Sequence, residues 1–279
     1  MFRTFEQSDP RLSPDGFTFL TVKSAALKQR ADITLYASDP SNVGPDTPVV
    51  LLLNGVYGSH WAWSFSGGAH RTASRLVDSG DLPEVLLCMP SDGLWGDGSG
   101  FVPHRSSNVE QWIVDEVPAA ALRAYGLAGA APPLFIAGLS MGGFAALRLA
   151  GKYPERFAAA SAHSALTRAV DLDSLIVESR SEWSTLPVDN EVIVALRSAM
   201  GALPPLRFDC GSDDVWIEDN RLLHRQLAES GISHRFEEYP GGHDWPYWQS
   251  GLERTLRFFA EVLRSSAEPH PKPDHGISL

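Results

Sequence analysis

Cysteine is almost absent from this chain: its 279 residues contain two, Cys88 and Cys210. Two cysteines cannot build the framework of a small disulfide-stapled secreted domain, and each sits in an apolar run, where a buried, inert thiol is expected. Basic residues are short relative to acidic ones. Lys and Arg number 23 against 34 Asp and Glu, a formal net charge of −11, which disfavours nucleic acid and anionic membrane surfaces as partners. Long hydrophobic stretches are missing as well: no run reaches the roughly 18 apolar residues of a membrane-spanning helix, and the opening MFRTFEQSDP carries no signal-peptide core. No internal repeat is visible. Against these absences, 43% apolar and 20% charged residues are ordinary globular values. A soluble, acidic, cytoplasmic protein is expected, long enough to bury a core without staples.

What is present is an alternation. Short apolar runs at Pro48–Leu53, Glu84–Met89, Leu134–Ala137, Phe157–Ala162 and Leu206–Cys210 read as strands, several of them continuous rather than alternating, as strands covered on both faces are. Helical patterns lie between them. Leu222, Leu223 and Leu227 mark one face of a helix over 220–230, and Trp248, Leu252, Leu256, Phe259 and Leu263 form a stripe along the last helix. Such strand–helix alternation predicts an α/β fold with a mostly parallel sheet and helices on both sides, with Phe17–Val22 and Ile33–Ala37 as an antiparallel edge. Functional loops then belong at the carboxyl ends of the strands. We expect one domain over 1–264 and a flexible tail over 265–279, where His270 and His275 read as solvated side chains. An insertion over about 164–204 breaks the rhythm and is expected to cap a pocket.

The sharpest motif is Gly138-Leu139-Ser140-Met141-Gly142, with an apolar run before it and the helical pattern FAALRLAGKYP after it. A strand, a sharp turn and a helix are what a nucleophile elbow requires, with Ser140 at its apex and helix N–H groups facing a developing anion. A serine nucleophile needs a base. His243, in Tyr239-Pro-Gly-Gly-His-Asp-Trp245, lies on a glycine-rich loop after the last strand pattern, with Asp244 placed to cap the following helix. His60, His104 and His163 also fall near strand ends, where hydrogen-bonded structural roles are expected. The base needs a carboxylate, and Asp213 or Asp214 after the strand LRFDC supplies one; spacing does not choose between them. The order Ser, Asp, His is that of α/β-hydrolases. For the oxyanion, the N–H groups of Met141 and of Val56, in the turn Asn54-Gly55-Val56-Tyr57-Gly58, are the expected donors.

These stretches resemble the esterase family of α/β-hydrolases that includes esterase D (S-formylglutathione hydrolase), tributyrin esterases, feruloyl esterases and the antigen 85 mycolyltransferases. LLLNGVYGSHWAW is similar to its strand and His-Gly turn, with Asn54 in place of the His. MPSDGLWGDGSG is similar to the loop after the next strand, with Trp95 and Asp97 where a Tyr and an Asp are common. GLSMGGFAALRLAGKYPERFAAA resembles its elbow and following helix, and DCGSDDVWIEDN with GGHDWPYW its acid and base loops. The resemblance covers most of the chain and implies an α/β-hydrolase fold. It implies Asp214 as the acid, with Asn220 six residues on, and Val56 as the oxyanion donor after the turn.

The resulting expectation is a serine carboxylesterase that forms an acyl-enzyme on Ser140, with His243 as base, Asp214 orienting it, and Val56 and Met141 holding the oxyanion. Its partner is a small-molecule ester: a short acyl, feruloyl, acetyl-sugar or S-formylglutathione ester. Trp61, Trp95 and Trp183 are the expected pocket aromatics, with packing roles as the alternative for each. No cofactor is called for, and Ser91-Asp92-Gly93 with Asp97-Gly98 lacks calcium-loop spacing, so no metal is expected. An acyltransferase using the same triad, or a ligand-binding relative without catalysis, are the alternative functions; the oligomeric state is open.

Overall fold

A computed structural model describes residues 2–267. Nine strands form one sheet in the order β1-β2-β3-β5-β4-β6-β7-β8-β9: β1 Phe5–Gln7, β2 Phe17–Lys23, β3 Arg30–Tyr36, β4 Val49–Leu53, β5 Leu86–Pro90, β6 Leu134–Leu139, β7 Ala159–His163, β8 Leu206–Gly211 and β9 Arg235–Tyr239. The first three run antiparallel, as expected for the edge, and β3 pairs antiparallel with β5. From β5 to β9 every pairing is parallel. This is the α/β-hydrolase architecture.

The continuous apolar runs follow from coverage of both faces. All five residues of β4 are buried, and they alternate: Val49, Leu51 and Leu53 join one core, Val50 and Leu52 the other. Helices Ala69–Asp78 and Trp245–Ala267 pack on one face, and Val117–Ala124, Met141–Lys152 and Ile217–Glu229 on the other. In the last of these Leu223 and Leu227 are buried but Leu222 faces solvent, because adjacent helical residues point about 100° apart. The stripe on the final helix holds, with Trp248, Leu252, Leu256 and Phe259 buried. That helix continues to Ala267, past the expected domain end at 264. The remainder of the expected tail, with His270 and His275, lies outside the described residues.

The insertion between β7 and β8 divides in two. Its second half, including helix Val192–Ser198, packs on Met141–Lys152 and is fixed there by a buried ion cluster. Arg148 meets Glu110 and reaches Asp189 at 3.0 Å, while Lys152 reaches Glu110 at 2.8 Å and Asp189 at 2.6 Å. Only the first half approaches the carboxyl ends of the strands. The pairing register brings those ends level, Leu53 beside Gly138, Leu139 beside His163, and His163 beside Asp209. The loops that leave them converge on one place.

Candidate active site

Ser140 leaves β6 with φ 53° and ψ −118° and begins helix Met141–Lys152. A side chain in the left-handed region is disfavoured and needs its surroundings to hold it. Here its N–H donates to the His163 carbonyl at 2.9 Å, and its carbonyl accepts from Phe144 at 3.0 Å. Gly142 explains the motif's last glycine, since a Cβ there would collide with the Leu53 carbonyl of β4. The hydroxyl of Ser140, itself buried, lies 3.0 Å from His243 Nε2.

His243 sits on the loop after β9, with its side chain one-quarter exposed. Its Nδ1 is 2.9 and 3.1 Å from the two carboxylate oxygens of Asp214, and its ring stands edge-on to Trp248, with centroids 5.0 Å apart. Asp244 caps the final helix as expected, accepting from Tyr247 N–H at 3.1 Å. Of the two aspartates, Asp213 faces solvent and Asp214 is buried. Burial opposes ionisation of Asp214, but the hydrogen bond and charge of His243, with help from Ser164 and the Trp216 N–H, outweigh it and hold the carboxyl below its ordinary range. The remaining histidines near strand ends are occupied structurally. His163 lies fully buried between Asp209 and Thr255, at 3.0 Å from each. His104 reaches the Ser99 carbonyl and His60 meets Thr34.

The loop after β4 passes against Ser140: a Cβ on Gly55 would lie 3.3 Å from Ser140 Cβ and 2.8 Å from Leu139 Cδ1. Among the described residues the Val56 N–H has no acceptor, whereas Tyr57 N–H donates to the Asp97 carbonyl at 2.8 Å. Met141 is the first residue of its helix, so its N–H has no intrahelical acceptor. Asn54 donates to the Gly55 carbonyl at 2.8 Å and braces the turn. Two unpaired donors beside a serine that already hydrogen-bonds a histidine–carboxylate pair can take up a carbonyl, polarise it and attack it.

A cavity of about 420 Å³ opens at Ser140. Trp61 lines it as expected. Trp95 and Trp183 do not: Trp95 packs edge-on to His104 with centroids 4.5 Å apart, and Trp183, 6% exposed, lies in the core against His104. Trp183 turns inward, where its large apolar area is better buried, whereas Trp95 is half-buried and borders a separate cavity with Leu27, Gln29 and Val109. The walls instead come from Tyr57, Leu175, Val215, Trp216, Trp245 and Trp248. Trp248, on the apolar stripe of the last helix, is core and wall at once, with its Nε1 donating to Ser164 Oγ at 3.2 Å. Trp216 and Trp245 each lie two residues after the candidate acid and base, Asp214 and His243, and that spacing was the available signal. Among the described residues, no three His, Cys, Asp or Glu side chains gather as a metal would require, and no helix is long and apolar enough to cross a membrane.

A family model described as "Putative esterase" matches residues 24–259. An acetyl esterase of Caldicellulosiruptor saccharolyticus is 24% identical over 232 residues, spanning 76% of this chain and 83% of that protein. Among solved structures, a ferulic acid esterase superposes with a TM-score of 0.73 at 24% identity, over 88% of this chain and 98% of its own. An S-formylglutathione hydrolase of Staphylococcus aureus gives 0.72 at 19% identity, also over 88% and 98%. At these identities the structural likeness speaks for the fold.

Proposed function

This chain belongs to the esterase family and is an ester-hydrolysing enzyme, and from that premise we propose that Ser140, His243 and Asp214 carry its reaction. The observation that supports this most directly is the unbroken hydrogen-bonded line from Ser140 Oγ through His243 to the Asp214 carboxylate. Ser140 Oγ attacks the ester carbonyl as His243 Nε2 takes its proton, and Asp214 keeps the Nδ1 proton in place and stabilises the imidazolium. The carbonyl oxygen, now negative, accepts from the N–H groups of Val56 and Met141. His243 then protonates the leaving alcohol, a water deprotonated by His243 attacks the acyl-enzyme, and the carboxylic acid departs.

The cleft favours a neutral ester with an apolar or aromatic group. Four tryptophans, Trp61, Trp216, Trp245 and Trp248, stand around it, and among its described lining residues there is no Lys, Arg, Asp or Glu. An ester carrying the several charges of glutathione finds no counter-charge there. The single sheet supports treating residues 1–264 as one domain, with 164–204 as an insertion whose Leu175 borders the cleft. Two free buried thiols suit a cytoplasmic setting.

The test is the initial rate of p-nitrophenyl acetate and butyrate hydrolysis by this protein and by Ser140→Ala. A rate well above background that falls to background in the variant is expected. Equal rates in both would refute Ser140 as the nucleophile.

A further inference from the structure

Resting on that reading of Ser140, we propose that Tyr57 determines which acyl groups the cleft admits, by standing as a hydrogen-bonded bar between the loop after β4 and the insertion. Tyr57 lines the cleft directly after Val56, yet 69% of its surface is exposed. It belongs to neither hydrophobic core. Its backbone nevertheless occupies the left-handed region, at φ 62°, which a tyrosine adopts only against a steric cost. Its ring is also restrained, because the hydroxyl donates to the carbonyl of Leu175, 118 residues away, and an exposed aromatic gives up rotamer freedom to be held so. Neither cost contributes to packing the core. Both hold a ring in the cleft wall, tied to Leu175 on the insertion.

Each end of the bar is braced by the same small set of bonds. Tyr57 N–H donates to the Asp97 carbonyl at 2.8 Å, and the Asp97 carboxylate accepts from Val177 N–H at 3.2 Å. The Asp97 N–H in turn donates to the Glu178 carboxylate at 3.1 Å. The loop bearing Val56 and the segment bearing Leu175 are therefore tied to one another through Asp97 as well as through the tyrosine ring. Val177, two residues past Leu175, is 88% exposed and offers an apolar surface on which a longer chain could lie. Trp245 and Trp248, also in the lining, pack with the core and do not easily yield. The end closed by Tyr57 is the one at which the cleft can lengthen, and with the ring in place the acyl chain is kept short.

The test compares kcat/KM for p-nitrophenyl acetate, butyrate and octanoate in the parent, Tyr57→Phe and Tyr57→Ala. Tyr57→Ala should raise the octanoate-to-acetate ratio by about tenfold or more, in line with what a few methylenes are worth in an apolar pocket. Tyr57→Phe, which keeps the ring and removes its tether, should raise the ratio less. An unchanged ratio in Tyr57→Ala would overturn the proposal. So would an equal loss on all three esters, since the ring would then serve the oxyanion loop and not the cleft's length. A second readout needs no turnover: tryptophan fluorescence titration of Ser140→Ala, with and without Tyr57→Ala, using methyl acetate and methyl octanoate. The second substitution should tighten methyl octanoate by about tenfold and shift methyl acetate much less; equal Kd values for methyl octanoate in the two proteins would overturn the proposal. If the parent hydrolysed none of the esters, the reading of Ser140 would fail while the titration still decided the role of Tyr57.

Discussion

Replacing Asp214 by Asn tests the candidate acid with almost no change of shape. The carboxylate is buried, accepts from His243 Nδ1 at 2.9 and 3.1 Å and from Trp216 N–H at 2.9 Å. An amide in its place keeps one acceptor oxygen but presents an NH₂ group, which favours the imidazole tautomer carrying its proton on Nε2, the wrong face toward Ser140. It also removes the charge that offsets the imidazolium of the transition state. The comparable loss in serine hydrolases is about 10³–10⁴ in kcat, or about 4–5.5 kcal/mol of barrier. KM should change little, because Asp214 does not line the cleft. The assay is steady-state hydrolysis of p-nitrophenyl acetate at pH 7–8, with Asp213→Asn as control. The Asp213 side chain is exposed and its backbone N–H, which donates to the Gly241 carbonyl at 2.9 Å, is unaffected by the substitution, so that variant should match the parent. An Asp214→Asn protein within about threefold of the parent, or an Asp213→Asn protein equally impaired, would refute the assignment.

Two further outcomes concern Asp209 and a pair of tryptophans. Burial opposes the charge on Asp209, but His163, Arg207 and Arg254 around it hold its carboxyl well below the ordinary range, and Tyr247 donates to it at 2.7 Å. A carboxyl depressed on folding adds stability that is fully present above its unfolded value of about 3.9 and disappears as pH falls below that value toward its folded one. Urea unfolding should therefore show Asp209→Asn to be weaker than the parent at pH 7 by about 3–5 kcal/mol, with the gap narrowing toward pH 3; a gap independent of pH would contradict this. The two tryptophans with opposite fates give the other outcome. Trp183→Ala should cost about 3–5 kcal/mol in unfolding free energy with KM for p-nitrophenyl butyrate unchanged, whereas Trp61→Ala should raise that KM and leave Tm in place. The reverse pattern would mean that the cleft is lined differently.

The site concentrates backbone strain, and the surrounding fold accounts for its persistence. Tyr57, Ser140 and Ser164 all have positive φ, each costing about 1–3 kcal/mol. Ser140 N–H is held by His163 of β7 and Ser164 N–H by Asp209 of β8 at 2.8 Å, so each serine is fixed by the neighbouring strand, while Tyr57 N–H is held by Asp97 in the loop after β5. Every residue from Met141 to Gly151 is buried, and the ion cluster around Arg148 locks that helix to the insertion and to Glu110. A cluster of this kind adds little stability over an apolar substitute, but removing one partner strands the rest. The helix that follows Ser140 is thus set in an environment that does not easily shift.

The difference between what the sequence disclosed and what it withheld follows from where each kind of information resides. The sheet was legible because strands buried on both faces must be apolar throughout, as Val49–Leu53 is. The candidate reacting residues were legible because their backbones carry local demands: Ser140 needs glycine at 138 and 142 to approach Leu53 and its own helix, and His243 follows two glycines. Those demands are written within a few residues of the chain. The choice of Asp214 over Asp213 needed the resemblance, since two adjacent side chains in a turn differ only in direction. Direction is also what misplaced Trp95 and Trp183. A tryptophan on a loop gains as much by turning into the core as by lining a cleft, and for Trp183 the decision rests on a partner far away in sequence, His104. Tyr57 and Leu175 illustrate the same point from the other side. Neither carries a pattern of its own, and their contact spans 118 residues, so the shape of the cleft emerges only when the insertion has packed on the sheet. Chemistry in this enzyme is therefore encoded locally and selectivity at long range, and substitutions in the insertion can move the second while leaving the first intact.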